Sequence, residues 1–303
     1  MDLVILAAGM GSRFGGLKQI EPIDEEGNFI IDYSIYDAKK AGFDKVIFII
    51  KEENLEIFKN TIGKRVEDKI ETHYVFQKLS LLPEGYSLPE GRVKPLGTAQ
   101  AILACKDVVG NDSFVMINSD DFYGRDAFEV AAKFLRSLPE GSKNAYANIG
   151  YYAKNTMTEN GSVKRGVLVM DENNHLVELI ESKLEHEDGK IAATPLEGGS
   201  KHYIPADSLV SMNMFCFTSD IMAHIEEGFV PFLEANKDHL DDCEYLLPTL
   251  VSDVMKEKGV KVAVLGTSAV WYGVTYREDK PEVVASIKAL VDHGEYPSPL
   301  WKN

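Results

Sequence analysis

A glycine-rich turn that directly follows a short apolar run constrains this chain more than any other stretch. Residues 3–6 are apolar, and the segment from residue 6 to residue 22 reads LAAGMGSRFGGLKQIEP. Glycines lack a Cβ, so backbone N–H groups can approach a ligand closely and positive φ angles are available. Arg13 and Lys18 add two cationic side chains to the same turn. A strand followed by an anion-cradling, cationic turn predicts a clamp for a triphosphate.

A dinucleotide-binding turn is the first competing interpretation, because Gly9, Gly11 and Gly15 fit a loose form of that fingerprint. Such a site needs an acidic residue about 20 positions further on, at the end of the second strand. Glu52 and Glu53, which end the next apolar run, lie much too far along the chain. A glycine-rich turn without any ligand is the other alternative, and it is disfavoured because a strained, cationic turn is costly to keep without a partner.

Composition and charge limit the partners of the chain. It has 303 residues, of which 45% are hydrophobic, enough for one large α/β core. The net charge of −16 argues against nucleic acid as a partner. No stretch reaches the length of a membrane span and no signal segment is evident, so we expect no membrane association and a cytoplasmic location. The cysteines, Cys105, Cys216 and Cys243, are odd in number and widely spaced, which favours reduced thiols.

Strand and helix patterns alternate in the first half of the chain. Predicted strands cover residues 3–6, 45–50, 72–76, 113–117 and 145–149, and predicted helices cover residues 31–41, 54–62, 98–107 and 126–138. This alternation predicts an α/β fold with a doubly wound, mostly parallel sheet flanked by helices. Ligands of such sheets bind beyond the carboxyl ends of the strands, where the glycine-rich turn lies.

The second half changes character and predicts mixed strands that add to the sheet. Residues 166–170 and 175–181 flank DENN at 171–174 as a hairpin would, 210–217 is another apolar run, and helical patterns cover 219–235, 244–258 and 280–293. No linker separates the halves, so we expect a single domain over residues 1–303. It would hold two subsites, one mainly in 1–150 and one mainly in 151–303. Residues 78–95, rich in proline and glycine, predict a surface loop long enough to act as a lid.

The glycine-rich segment resembles the signature loop of the sugar-phosphate nucleotidyltransferases, and glucose-1-phosphate thymidylyl- and uridylyltransferases in particular. That resemblance implies a Rossmann-like sheet of the GT-A type. It also implies a pyrimidine nucleoside triphosphate and a sugar 1-phosphate as partners, with the nucleotide mainly in the first half and the sugar phosphate in the second. The oligomeric state stays open, and a homo-oligomer is compatible with the sequence.

A second motif, KPLGTAQAI at 94–102, places Gly97 just before a predicted helix, so backbone N–H groups can face a ligand. Its Gly-Thr-Ala segment matches family residues that lie against the nucleoside. Gln77 resembles the family glutamine that recognises the pyrimidine, and an amide can offer both a donor and an acceptor. By itself, Gln77 would pass for a solvent-facing amide at a strand end. The predicted nucleotide-binding residues are Leu6, Ala8, Gly9, Gly11, Ser12, Arg13, Lys18, Gln77, Gly97, Thr98 and Asp120.

The third motif, NSDDFYG at 118–124, places Asp120 and Asp121 at the end of a predicted strand. Adjacent carboxylates repel each other unless a cation is present, and their oxygens suit Mg²⁺. The resemblance implies that Asp120 is the metal ligand, with Asp121 a neighbour of less defined role. Arg13, Lys18 and Asp120 are therefore the predicted catalytic residues and Mg²⁺ the predicted cofactor.

Four residues resemble the sugar-phosphate subsite of the family, namely Gly166, Glu181, Lys183 and Asn213. Two positions depart from the family pattern. Ser182 replaces one of the usual acidic residues before the lysine, and Gly273 stands where a second metal-binding Asp usually follows a Trp. These departures keep two alternatives open: a non-sugar phosphate acceptor, and a catalytically silent protein that senses nucleotides.

Overall fold

The structure, a computed structural model, describes residues 1–9, 20–158, 161–273 and 280–301. Four predicted nucleotide-binding residues, Gly11, Ser12, Arg13 and Lys18, lie outside the described residues. The predictions for them therefore stay predictions.

The strands form a mixed sheet whose central members are mostly parallel. In chain order the strands are β1 Asp2–Leu6, β2 Lys45–Ile50, β3 Glu71–Phe76, β4 Phe114–Asn118, β5 Asp121–Phe122, β6 Tyr146–Tyr152, β7 Ser162–Met170, β8 Leu176–Glu187, β9 Lys190–Pro195, β10 His202–Ile204, β11 Leu209–Phe217, β12 Val262–Thr267 and β13 Tyr272–Gly273. The large sheet runs β10-β9-β8-β7-β11-β4-β1-β2-β3, with β6 paired to β11 and β12, while β5 and β13 form a separate two-stranded sheet. This architecture confirms the predicted α/β fold.

The helices lie between strands, as the alternation predicted for the first half. In chain order they are α1 Ile30–Ala41, α2 Leu55–Phe58, α3 Lys64–Val66, α4 Thr98–Leu103, α5 Lys106–Val109, α6 Arg125–Ser137, α7 Ile221–Ala235, α8 Leu247–Lys258 and α9 Lys280–Asp292. None of these helices is long and apolar enough to cross a membrane.

The direction of strand pairing changes along the sheet. Strands β3, β2, β1 and β4 pair in parallel. Strand β11 is antiparallel to β4, β6 and β7, and the hairpin β7–β8 continues antiparallel pairing to β9 and β10. The carboxyl ends of β1, β3 and β4 therefore meet at one edge, and the antiparallel strands extend the sheet beside it.

Helices cover both faces of the sheet. On one face, buried residues of α1 and α6, such as Ala38 and Ala131, join a cluster with alternate residues of β1 and β4. On the other face, Ile102, Ile225 and Leu250 bring α4, α7 and α8 into a second cluster. The two clusters explain the near-continuous apolar runs of the central strands, because a strand covered on both faces buries every side chain.

The predicted helix over residues 54–62 is the main local difference. In its place the chain forms a 3₁₀ turn at Glu52–Asn54, the short helix α2 and a π-helical turn at Lys59–Gly63. Asn60 and Thr61 donate side-chain hydrogen bonds to the carbonyls of Glu56 and Ile57. Such bonds compete with the regular α-helical pattern, and periodicity does not report them. The predicted helix over 98–107 is likewise divided into α4 and α5.

Candidate functional site

A cavity of about 270 Å³ opens at the edge where the parallel strands end. Its walls come from the turn after β1, the end of β3, the start of α4 and the turn after β4. Each predicted nucleotide-binding residue that the structure describes lines it, namely Leu6, Ala8, Gly9, Gln77, Gly97, Thr98 and Asp120. Sequence motifs separated by more than 100 residues thus meet in one place, at the edge where open α/β sheets bind their ligands.

The turn at Gly97 has a backbone that only glycine adopts readily. Its φ is 107° and its ψ is −171°, outside the regions open to residues with a Cβ. A Cβ at this position would also lie 2.8 Å from the carbonyl oxygen of Tyr245. That carbonyl accepts the N–H of Ala99 at 3.0 Å, and Leu247 N–H donates to the Thr98 hydroxyl at 2.8 Å. The chain before α8 therefore braces the start of α4.

Hydrogen bonds to the protein hold the amide nitrogen of Gln77. Its amide nitrogen donates to the carbonyl of Gly97 at 2.9 Å and to Oε1 of Gln100 at 3.1 Å. Both amide protons are therefore used inside the protein. The expectation that this amide offers a donor and an acceptor to a ligand is corrected, because the acceptor alone remains for the cavity.

The described lining of the cavity is acidic. It contains Lys94, whose ammonium lies 3.0 Å from Glu244, and the carboxylate of Asp120. One cation against two carboxylates repels a triphosphate, so cations from elsewhere or a bound divalent ion are needed to hold such a ligand.

The two adjacent aspartates have different surroundings. Asp120 lines the cavity, whereas Asp121 is 8% exposed. The Asp121 carboxylate accepts a hydrogen bond from Nδ2 of Asn118 at 2.9 Å and lies 3.3 Å from the hydroxyl of Tyr123. Tyr123 is fully buried, and burial raises the pKa of its phenol far above the usual value. Asp121 is thus hydrogen-bonded to the interior, and Asp120 is the residue of the pair that lines the cavity.

Asn213, on strand β11, contacts the wall of the cavity. A β-bulge between Ser211 and Phe215 interrupts the pairing with β6, and Asn213 has a φ of 60°. Asparagine tolerates this left-handed conformation better than most residues. Its Nδ2 donates to Oδ1 of Asn118 at 2.9 Å, and Asn118 lines the cavity. The bulge therefore aims Asn213 at the cavity wall.

The other predicted sugar-phosphate residues lie on the β7–β8 hairpin, outside the lining of this cavity. Gly166 pairs with Glu181, and a Cβ on Gly166 would lie 2.7 Å from Leu179. Lys183 forms an ion pair of 2.7 Å with Glu185. The bounds predicted for the hairpin strands, 166–170 and 175–181, are corrected, because both strands are longer and these residues stand in their middle.

Ser182 points away from its neighbours Glu181 and Lys183, because alternate residues of a strand face opposite sides. It is buried and pairs with Arg165 across the hairpin. The replacement of an acidic residue by Ser182 therefore changes the surroundings of Arg165. The inference that Ser182 alters the choice of acceptor stays a prediction.

Arg165 is a buried cation, 8% exposed. Its guanidinium lies 4.6 Å from the ring centre of Trp271 and donates to the carbonyls of Lys164 and Thr156. Burial lowers the pKa of Arg165 to about 10, while the charges of Asp121 and Glu181 act in the opposite direction. Its Nε has no hydrogen-bond partner among the described residues.

Gly273 lies directly across from Asp121 in the small β5–β13 sheet. Gly273, where the family resemblance places a second metal-binding Asp, therefore lies beside Asp121. A Cβ on Gly273 would collide with the indole of Trp271, which fills that space.

The donor set limits how a metal would be held. The described residues contain no cluster of three or more His, Cys, Asp or Glu side chains placed for a metal. Asp120 is the single aspartate of the described cavity lining. Mg²⁺ commonly takes one or two carboxylates and completes its shell with phosphate and water oxygens. The residues present therefore fit Mg²⁺ that arrives with a nucleotide.

Sequence reasoning missed two residues that shape the site. Gln100 is buried in α4 and fixes Gln77, and Tyr245 braces the Gly97 turn. Gln100 carried a signal, because a polar residue at a buried position of a helix needs a hydrogen-bond partner. Tyr245 carried none, because its contact with the turn is made by a backbone carbonyl.

Comparison with known proteins supplies the context of this site. A family model described as nucleotidyl transferase matches residues 3–272. The low-salt glycan biosynthesis nucleotidyltransferase Agl11 of Haloferax volcanii is 27% identical over 139 residues, which are 44% of this chain and 34% of that protein. The match thus spans about a third of the length of this curated relative.

Solved structures share the fold at low sequence identity. A candidate glucose-1-phosphate thymidylyltransferase from Bacillus anthracis, solved with a sucrose, has a TM-score of 0.63 and 18% identity, covering 94% of each chain. The inositol-1-phosphate CTP transferase from T. maritima has a TM-score of 0.60 and 15% identity, covering 95% of this chain and 96% of its own. UDP-glucose pyrophosphorylase complexed with UDP-glucose has a TM-score of 0.59 and 15% identity, covering 95% and 98%.

Proposed function

Because this chain belongs to the nucleotidyl transferase family, we propose that it joins UTP or dTTP to a sugar 1-phosphate and releases pyrophosphate. One observation carries the proposal. The Gly97 turn, the Gln77 amide and the Asp120 carboxylate come from three separate segments of the chain and line a single cavity beside the end of β1. A nucleotide with its base near Gln77 and its phosphates near Asp120 makes use of all three.

Base selection follows from the hydrogen-bonding capacity of Gln77. Its carbonyl oxygen, which accepts no hydrogen bond from the described residues, is an acceptor. The N3–H of uracil or thymine is a donor. Cytosine has an unprotonated N3, so an acceptor placed opposite that atom is repelled. This complementarity supports uridine or thymidine triphosphate over cytidine triphosphate.

The chemistry needs positioning and charge neutralisation more than covalent help. A phosphate oxygen of the acceptor attacks the α-phosphorus, a new P–O bond forms, and the bond to the leaving pyrophosphate breaks on the opposite side. Arg13 and Lys18 would bind the phosphates and supply the positive charge that the described lining lacks. Mg²⁺ held by Asp120 and the phosphates would offset the charge that develops on the leaving group.

The acceptor would approach from the antiparallel side of the sheet. Asn213 already touches the cavity wall through Asn118, at 2.9 Å. Lys183 would bind the acceptor phosphate and exchange its exposed ion pair with Glu185 for that contact, at little cost because exposed ion pairs contribute little. Gly166 and Glu181 would face the sugar hydroxyls.

Pyrophosphate release tests the proposal. The protein is mixed with Mg²⁺, one of the common nucleoside triphosphates, and a panel of sugar 1-phosphates with inositol 1-phosphate added. We expect release with UTP or dTTP and at least one sugar 1-phosphate. Release only with inositol 1-phosphate would show that the acceptor is inositol 1-phosphate and not a sugar 1-phosphate. Nucleotide binding without release across the whole panel would contradict the proposed reaction and favour a nucleotide sensor.

A further inference from the structure

We propose that Gln100, a buried residue that does not line the cavity, sets the base preference by fixing the orientation of Gln77. The proposal rests on the proposed function only in taking a nucleotide base as the ligand of Gln77. Gln100 has 0% exposure and lies in α4. It would be a positioning residue, because it acts on the base through another side chain.

The hydrogen bonds of Gln100 leave one orientation for its amide. Its nitrogen donates to two carbonyls, those of Lys78 at 3.1 Å and Leu81 at 3.0 Å. Its oxygen accepts the backbone N–H of Leu96 at 3.1 Å. Rotating the amide by 180° would place an oxygen against two carbonyl oxygens and an NH₂ group against an N–H. Each of those contacts is repulsive, so the orientation is fixed by the backbone around it.

The fixed oxygen of Gln100 then determines the orientation of Gln77. Gln77 Nε2 lies 3.1 Å from that oxygen and 2.9 Å from the carbonyl oxygen of Gly97. Both neighbours are acceptors, so Gln77 must turn its NH₂ group toward them. The carbonyl oxygen of Gln77 accepts no hydrogen bond within the described part of the chain and is not among its buried unpaired atoms. It is therefore the group presented to the cavity.

Through the amides of Gln100 and Gln77, the surrounding backbone determines the base preference. With Gln100 in place, Gln77 is an acceptor and complements N3–H of uracil or thymine. Without the Gln100 oxygen, the carbonyl of Gly97 alone opposes rotation of the Gln77 amide, so the turned orientation becomes more populated. Its NH₂ group then complements the N3 acceptor of cytosine.

Gln100 also links Gln77 to the loop at 78–95. The carbonyls of Lys78 and Leu81, at the start of that loop, are held by the nitrogen of Gln100. A change in the loop would thereby reach the base through two side chains.

The test compares binding of UTP, dTTP and CTP to the wild-type protein and to Gln100→Met by calorimetry and thermal shift, with no turnover required. Methionine keeps the length and apolar stem and removes both the donors and the acceptor. We expect the ratio of UTP to CTP affinity to fall by about tenfold or more. The reason is that the neutral hydrogen bond between the Gln77 oxygen and N3–H of uracil becomes a repulsive contact when the Gln77 amide turns. An unchanged ratio would overturn the proposal.

Two further variants separate this role from a general loss of packing. In Gln100→Glu, burial raises the pKa of the new carboxyl and so favours its neutral form. The variant keeps an acceptor oxygen toward Gln77 and should keep the preference. In a Gln77→Leu background, Gln100→Met should have no further effect on the ratio, because the pair acts through Gln77. An equal extra fall in that background would contradict the proposal. If Gln100→Met does not fold, Gln100→Asn withdraws the amide by one methylene and gives the same test.

Binding results also separate this inference from the proposed reaction. A wild-type protein that binds UTP over CTP but releases no pyrophosphate would contradict the reaction and leave the Gln100 test intact. A wild-type protein that binds CTP more tightly than UTP would overturn the Gln100 proposal even if pyrophosphate is released.

Discussion

At the scale of single residues, the adjacent carboxylates of Asp120 and Asp121 differ in their surroundings. Asp121 is turned inward to Asn118 and Tyr123, and Asp120 is turned toward the cavity. A sequence pattern places both at a strand end and leaves their roles undivided. Burial and hydrogen bonds make the division, because a buried carboxylate that already accepts hydrogen bonds from the interior is less available to a metal.

We expect Asp120→Asn to lower turnover by about a hundredfold or more, because it keeps the shape of the side chain and removes the charge that would hold Mg²⁺. Calorimetric titration of Mg²⁺ with and without nucleotide should show that affinity in the wild-type protein appears only with nucleotide and is lost in the variant. Glu172→Gln, in an exposed turn, is the matched control. Full activity of Asp120→Asn would remove this residue from the mechanism.

Arg13→Ala and Lys18→Ala should slow turnover far more than they change stability. The described cavity lining is acidic, so we assign phosphate binding to these two cations and expect each loss to cost about 2 to 4 kcal/mol of transition-state stabilisation. Steady-state kinetics would measure the effect, with circular dichroism melts as the folding control. Near-normal turnover in either variant would contradict the role of that cation.

At the scale of elements, the motifs could be placed from the sequence because each follows a strong local pattern. Strands β1, β2 and β4 are apolar runs that are buried along almost their whole length, whereas the edge strand β3 is mostly part-buried. The glycine-rich turn follows β1, Gln77 follows β3, and the motif with Asp120 begins at the last residue of β4. Strands β5, β10 and β13 were missed because two or three residues are too few to show a pattern. Strands β9 and β12, of six residues each, were missed as well. The orientation of the Gln77 amide could not be predicted either, because it depends on hydrogen bonds to Gln100 and to the carbonyl of Gly97. Gln100 is in turn oriented by the backbone of Lys78, Leu81 and Leu96.

Gly97→Ala should destabilise the protein by about 1 to 3 kcal/mol and weaken nucleotide binding, because the turn needs a positive φ and has no space before the Tyr245 carbonyl. Chemical denaturation and nucleotide titration would measure the two effects. Gly110→Ala is the matched control, since Gly110 also has positive φ but has nothing within 4 Å of an added Cβ. Equal stability losses in both variants would show that Tyr245 does not matter.

At the scale of the whole molecule, the last turn of the chain closes a third apolar cluster against α1. Tyr296 packs edge-on against Tyr33 at 5.0 Å between ring centres, and its hydroxyl donates to the buried carboxylate of Asp37. Arg125 lies 3.3 Å from the same carboxylate. Burial raises the pKa of Asp37 to about 7, although Tyr296 and Arg125 both act to lower it.

This group makes stability depend on pH in a defined direction. Its folded-state pKa lies above its ordinary value of 3.8, so the folded protein holds the proton more tightly than the unfolded chain. Stability from Asp37 is therefore fully present below about pH 4 and is lost as pH rises through about 7. Asp37→Asn cannot ionise, so the difference in unfolding free energy between wild type and variant should fall across that interval and level off above it.

Urea denaturation between pH 4.5 and pH 8.5 would measure that difference, with Asp44→Asn, whose side chain is 79% exposed, as the control. A difference that stays flat with pH would show that Asp37 is ionised in the folded protein throughout.

The indole that occupies the space beside Gly273 also restricts the order in which this sequence can change. Adding an aspartate at 273 first would force the ring of Trp271 off Arg165 and expose a buried cation to a new neighbour. Replacing Trp271 by a small residue first would open the space, and the carboxylate could then enter. A route to a two-carboxylate site therefore has a required order of substitutions, and a library that varies position 273 alone should return glycine.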